Sequence, residues 1–234
     1  MTFKADPRIL GGALAAALAA LAVGGPLAAA PKDDAIAEAE AAIARGDGVA
    51  AELAGKRALE QGAARSEVAA LIGEGELLQD DLSDATQWLT QGEFSPATRG
   101  RGLHALARLA MQQNNYTAAS QIFNTLLTEG RATSLVWVDI GRMRYRTGEH
   151  LLALEAARLA VEMDPNEPRA LEFFAQLMRD SSGLRQALPL FQRALAAAPG
   201  DTGLMQQYAA TLGDVGEQPP RRLGLSAGAG GTGA

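Results

Sequence analysis

The chain has 234 residues, with 21 Lys and Arg against 27 Asp and Glu, so a formal charge of -6 denies it long-range attraction for nucleic acid or an anionic membrane surface. It contains no cysteine, which excludes disulfides, thiolate metal sites and cysteine nucleophiles together. Aromatic residues make up only 5%, and the runs between turn signals are built from Ala, Leu, Glu, Gln and Arg without strict alternation, so an all-α protein is predicted.

Residues 1–30 read as an export signal. Lys4 and Arg8 precede an uncharged stretch from Ile9 to Ala30 that closes on Ala28-Ala29-Ala30, and Pro31 moves the expected cut to the bond after Ala28 or Ala29. The alternative is an uncleaved inner-membrane anchor, since residues 9–30 are long enough to span a bilayer. Both readings put the rest of the chain outside the cytoplasm, and the small-residue usage points to a bacterium and its periplasm.

Residues 31–213 carry a repeat. Alanines recur every 34 residues at Ala51, Ala85, Ala119, Ala153 and Ala187, and a second ladder of small residues runs twelve positions upstream at Ala39, Gly73, Ala107, Gly141 and Ala175, with Ala209 continuing it. In the same phase lie Ala35, Ala69, Leu103, Trp137, Leu171 and Met205, then Gly55, Leu89, Phe123, Ala157 and Phe191, at spacings that share one helix face. Between the ladders sit the turn signals Gly46-Asp47, Asp80-Asp81, Asn114-Asn115, Gly148-Glu149 and Ser182-Gly183. Each unit therefore reads as helix A, a tight turn and helix B, with small residues where the two helices cross. Pro165 and Pro199 end the fourth and fifth helix B, while Pro189 stands early enough in its helix to cause at most a mild kink.

This pattern resembles the tetratricopeptide repeat. Units four and five match it most fully, with Trp137, Gly141, Gly148, Ala153, Ala160 and Pro165, then Leu171, Ala175, Ala187, Phe191, Ala194 and Pro199; unit three adds Leu103, Ala107, Tyr116, Ala119 and Phe123. Units one and two depart from it, with Ala35 and Ala69 at the bulky position, Gly55 where an aromatic belongs, and no terminal proline at Ala63 or Ala97. The resemblance implies a right-handed superhelix of antiparallel helix pairs, five repeats plus one unpaired helix, with helix A lining a concave groove. It names no partner.

The sixth unit stops after its helix A. Arg221 stands where the next ladder alanine belongs, flanked by Pro219 and Pro220, and residues 214–234 read as a disordered tail with the register of a truncated or frameshifted end. Gly224-Leu225-Ser226-Ala227-Gly228 matches the nucleophile-elbow pattern but has neither the preceding strand nor the following histidine, and residues 228–233 match a dinucleotide-binding pattern without its strand and helix. His104 and His150, in different units, read as solvated surface residues rather than metal ligands. Trp137 belongs to the packing face, and Glu38, Glu40, Asp47 and Glu52 to solvated faces and turns. No catalytic residue, metal site or cofactor is expected.

The positions that the resemblance places in the groove gather positive charge in units three to five: Arg101, His104 and Arg108, then Arg142, Tyr145 and Arg146, then Arg169 and Arg179. Asp33, Glu40, Glu67 and Glu74 share that face in units one and two. The expectation is a protein or peptide partner with acidic character, clamped by guanidinium groups; the bland reading is solvated helix faces, with Arg169 paired to Glu172. Two functions follow: a non-catalytic interaction scaffold or assembly factor of the cell envelope, or the targeting region of a longer enzyme such as a transferase.

Overall fold

The structure is a computed structural model that describes residues 31–216. It places eleven helices there: α1 Pro31–Ala44, α2 Gly48–Glu60, α3 Arg65–Leu78, α4 Leu82–Thr90, α5 Arg99–Gln112, α6 Tyr116–Thr128, α7 Ser134–Arg146, α8 His150–Met163, α9 Pro168–Ser182, α10 Leu184–Ala197 and α11 Thr202–Val215. Odd and even helices pack as five turn-linked pairs, each resting on the first helix of the next, and α11 packs on α10 without a second helix among the described residues. The helix runs past the expected boundary at Gly213 because Asp214 and Val215 complete its last turn. Gly216, at φ 79°, provides the left-handed stop and returns its N–H to Gly213 and Leu212. The expected export signal at 1–30 and the rest of the tail, including both glycine-rich matches, lie outside the described residues.

The turns follow one recipe. Gly46, Asp80, Asn114 and Gly148 take positive φ, and the next residue opens helix B. Asp47, Asp81 and Asn115 do so as N-caps, each accepting the N–H three residues on at 3.0–3.1 Å. The fifth turn is tighter than expected, because Ser182 completes α9 and Gly183 alone joins it to α10. α8 and α10 end before Pro165 and Pro199, and α10 continues through Pro189.

Both ladders lie where the helices cross. Ala51, Ala85, Ala119, Ala153 and Ala187 are fully buried, as are Ala39, Ala107 and Ala175. Gly141 shows why only small residues fit: a Cβ there would stand 2.6 Å from Cε1 of Phe173 and 3.3 Å from the carbonyl of Ala153. Larger residues fill the seams between units. Phe123, Leu126, Val136 and Ile140 join unit three to four; Val138, Ala153, Ala157 and Phe173 join four to five; Leu171, Phe191 and Leu204 join five to α11. Ala209 is exposed, unlike every other member of its ladder.

Unit two departs from the pattern in structure as in sequence. Its helix B, α4, ends at Thr90, and residues 91–98 cross to α5 as a loop. Arg65 caps the carbonyls of Gln87 and Gln91 at 2.9 and 3.1 Å, Thr98 Oγ1 donates to the carbonyl of Ser66 at 2.8 Å, and Phe94 packs where a side chain on Gly102 would otherwise stand.

Candidate functional site

The first helices of the units, α5, α7 and α9, present their groove positions to one another. Between them lies a cleft of about 410 Å³ lined by Arg108, Arg142, Tyr145, Arg146 and Arg179, by the carboxylates of Asp139 and Asp180, and by an apolar floor of Met111, Phe173 and Leu177. A longer trough of about 1070 Å³ runs beside it, lined by Arg101, His104 and Arg108 from α5 and by Arg169 from α9. The eight residues singled out in the sequence thus fall into two depressions that share Arg108. Arg169 stands apart from Arg179.

Much of the positive charge is engaged internally. Glu74 on α3 takes Arg101 and Arg108, both at 3.3 Å, and Arg101 also lies 3.8 Å from Glu40 on α1. Asp139, on α7, accepts from His104 Nε2 at 2.8 Å and from Arg142 at 3.4 Å. Burial by itself would push the Asp139 carboxyl up, but the His104 hydrogen bond and the charges of His104, Arg108 and Arg142 hold it below the ordinary carboxylate range. His104 is therefore no solvated surface residue. Its side chain is 17% exposed, with its ring tilted 6.5 Å from that of Phe123. His150 is exposed and meets Tyr145 edge-on at 4.9 Å.

Arg146 is exposed, lines the cleft and has no side-chain partner among the described residues, and Arg179 reaches only its neighbour Asp180, at 3.5 Å. Tyr145 donates to that same Asp180 at 3.2 Å, and the Arg142 guanidinium lies 5.7 Å from the centre of the Phe173 ring. Arg169 does not pair with Glu172. It faces the N-cap Glu167 at 3.8 Å, while Glu172 is taken by Gln176 at 3.1 Å and by Gln207 of α11 at 2.6 Å. Trp137 packs, half-buried, between the seams on either side of unit four.

Sequence reasoning missed two members of this surface. Asp180 occupies a groove position in the same register that selects the arginines, so the spacing itself could have found it. Asp139 was signalled more faintly, as the only charge in the apolar run from Ser134 to Ile140.

No family model matches the chain, and no curated protein matches it. Solved structures do. A thermophilic tetratricopeptide-repeat protein of Thermus thermophilus superposes with a TM-score of 0.67 at 17% identity, over 77% of this chain and 98% of that one. The Cut9-Hcn1 hetero-tetramer of the APC/C gives 0.62 at 17% identity, over 79% of this chain and 35% of that one, and PilF of Pseudomonas aeruginosa gives 0.55 at 18% identity, over 79% and 91%. The fold is that of the tetratricopeptide repeat, a right-handed superhelix of antiparallel helix pairs. Among the described residues no helix is long and apolar enough to cross a membrane.

Proposed function

We propose that this tetratricopeptide-fold array is a non-catalytic scaffold or assembly factor of the bacterial cell envelope that holds an acidic stretch of a partner protein in its concave groove. One observation carries the reading. The cleft between α5, α7 and α9 sets four guanidinium groups against two carboxylates above an apolar floor, in a chain whose overall charge is negative. Such a surface takes a carboxylate in bidentate fashion while an apolar side chain beside it reaches Met111, Phe173 and Leu177. Cut9, whose repeat array this chain resembles in fold, assembles with Hcn1, which supports a partner-holding role.

The test uses a fluorescent peptide alternating Glu with Leu, and its Lys counterpart as control. Arg146→Glu with Arg179→Glu is the informative variant, because neither residue is held by an interior carboxylate, whereas reversing Arg108 or Arg142 would also unseat Glu74 or Asp139. The double variant is expected to weaken binding of the acidic peptide by more than about tenfold at low salt and to flatten its salt dependence. Unchanged affinity in a folded variant would remove the groove as the site.

The envelope location rests on the order of residues 1–30, basic and then apolar and then small. Fusing residues 1–32 to a reporter active only outside the cytoplasm is expected to give signal. A silent but well-expressed fusion would leave the scaffold and discard its location.

A further inference from the structure

Three carboxylates converge at the turn between α3 and α4, away from the groove. Glu76, in the last turn of α3, is 3% exposed, and its Oε1 has no hydrogen-bond partner. Asp81 is the N-cap of α4, with Oδ1 accepting the N–H of Asp84 at 3.0 Å, and Asp84 lies in the first turn of that helix. One oxygen from each of the three lies within 4.8 Å of the others.

Two of these residues have a structural reason to be acidic. Asp81 accepts the N–H of Asp84 as the N-cap, and both carboxylates complement the positive end of α4. Glu76 has none. A buried carboxylate oxygen without a partner costs free energy, and the same carboxyl group stands beside two further carboxylates. The Lys56 ammonium hydrogen-bonds to Glu52, which also accepts from Gln79 at 3.1 Å, and not to any of the three carboxylates.

We propose that Glu76, Asp81 and Asp84 form a binding site for a hard divalent cation of calcium's size. All three donors are oxygens, which suits calcium, magnesium or manganese rather than a thiolate- or imidazole-seeking metal. Calcium keeps its ligands at about 2.3–2.6 Å in a flexible shell, so oxygens spread up to about 4.8 Å apart can share one ion; magnesium needs about 2.0–2.1 Å and near-octahedral order. Asp81 is exposed, which leaves the outer side of the site open to water as the remaining ligands. The bound ion would tie the end of α3 to the start of α4, the shortest helix of the array.

The test is a set of thermal melts of the full chain in CaCl₂, MgCl₂ and NaCl at matched ionic strength. At about ten times its dissociation constant, calcium is expected to raise Tm by about 3–6 °C. Glu76→Gln should lose that shift. Asp81→Asn should reduce it although asparagine caps α4 equally well, which separates the lost ligand charge from a damaged turn. Terbium supplies a second readout, since Trp88 lies one turn beyond Asp84 on α4 and can sensitise its luminescence. Calcium should quench that signal by displacement, and Glu76→Gln should weaken terbium binding at least tenfold. The assignment fails if calcium leaves the parent's Tm unchanged, if magnesium matches it, or if Glu76→Gln keeps the full response in both measurements.

Discussion

Asp139 joins the core of the array to its groove. The residue is 9% exposed, and its carboxylate draws on His104 and Arg108 from α5 as well as Arg142 from its own helix. Asp139→Asn keeps an acceptor there but removes the charge that the guanidinium groups face, which should cost about 1–3 kcal/mol at neutral pH. The folded carboxyl is held below its ordinary value, so its contribution is present above the unfolded value of about 4 and is lost as pH falls through the lower folded value. The Tm difference between parent and variant, followed from about pH 7 to about pH 2, should therefore close in the acid limb. A gap that stays constant to the lowest pH would show that the carboxylate's charge is not what matters. The sequence displays the anomaly, a lone acid between Val138 and Ile140, but not its resolution. His104 lies 35 residues away, and only the juxtaposition of α5 with α7 makes it a partner.

At the level of helices, legibility depended on local chemistry. Turn residues that take positive φ mark four of the five junctions, and at three of them the next residue caps helix B through its side chain, so both requirements are met within two adjacent residues. At the fifth, Gly183 takes the positive φ, 100°, and stands between the helices with no side-chain cap, so the boundary there shifts by a residue. The early end of α4 was harder to read. It depends on Arg65 reaching the carbonyls of Gln87 and Gln91 and on Phe94 folding against Gly102, contacts between residues too far apart for any helical spacing to reveal. The groove arginines were legible for the opposite reason. Once the repeat phase is known, position alone selects them and puts Glu74 on the same face, although it does not show that Glu74 holds two of them.

Across the whole molecule, the helices of each unit pack on their own unit and on the next, and the Arg101–Glu40 pair is a longer reach, from unit three to unit one. Such a chain is close to one-dimensional, and its units should be separable in stability. The two tryptophans allow this to be read directly, because Trp88 lies on α4 in unit two and Trp137 on α7 in unit four. Trp88→Phe leaves Trp137 as the sole reporter, and Trp137→Phe leaves Trp88. Into each background Gly141→Val would be introduced, where the new Cβ meets the Phe173 ring across the seam between units four and five. Overpacking of this kind costs about 1–3 kcal/mol, and the helix propensity gained over glycine, under about 1 kcal/mol, offsets only part of it. In urea the midpoint read by Trp137 should fall by about 0.5 M or more. The midpoint read by Trp88 should move by less than half as much, because the damaged seam lies two units away and the strain must pass through the interface of α5 and α7. Equal shifts at both reporters would mean that the array unfolds as one cooperative block, and stability would then have to be treated as a property of the entire superhelix rather than of its units.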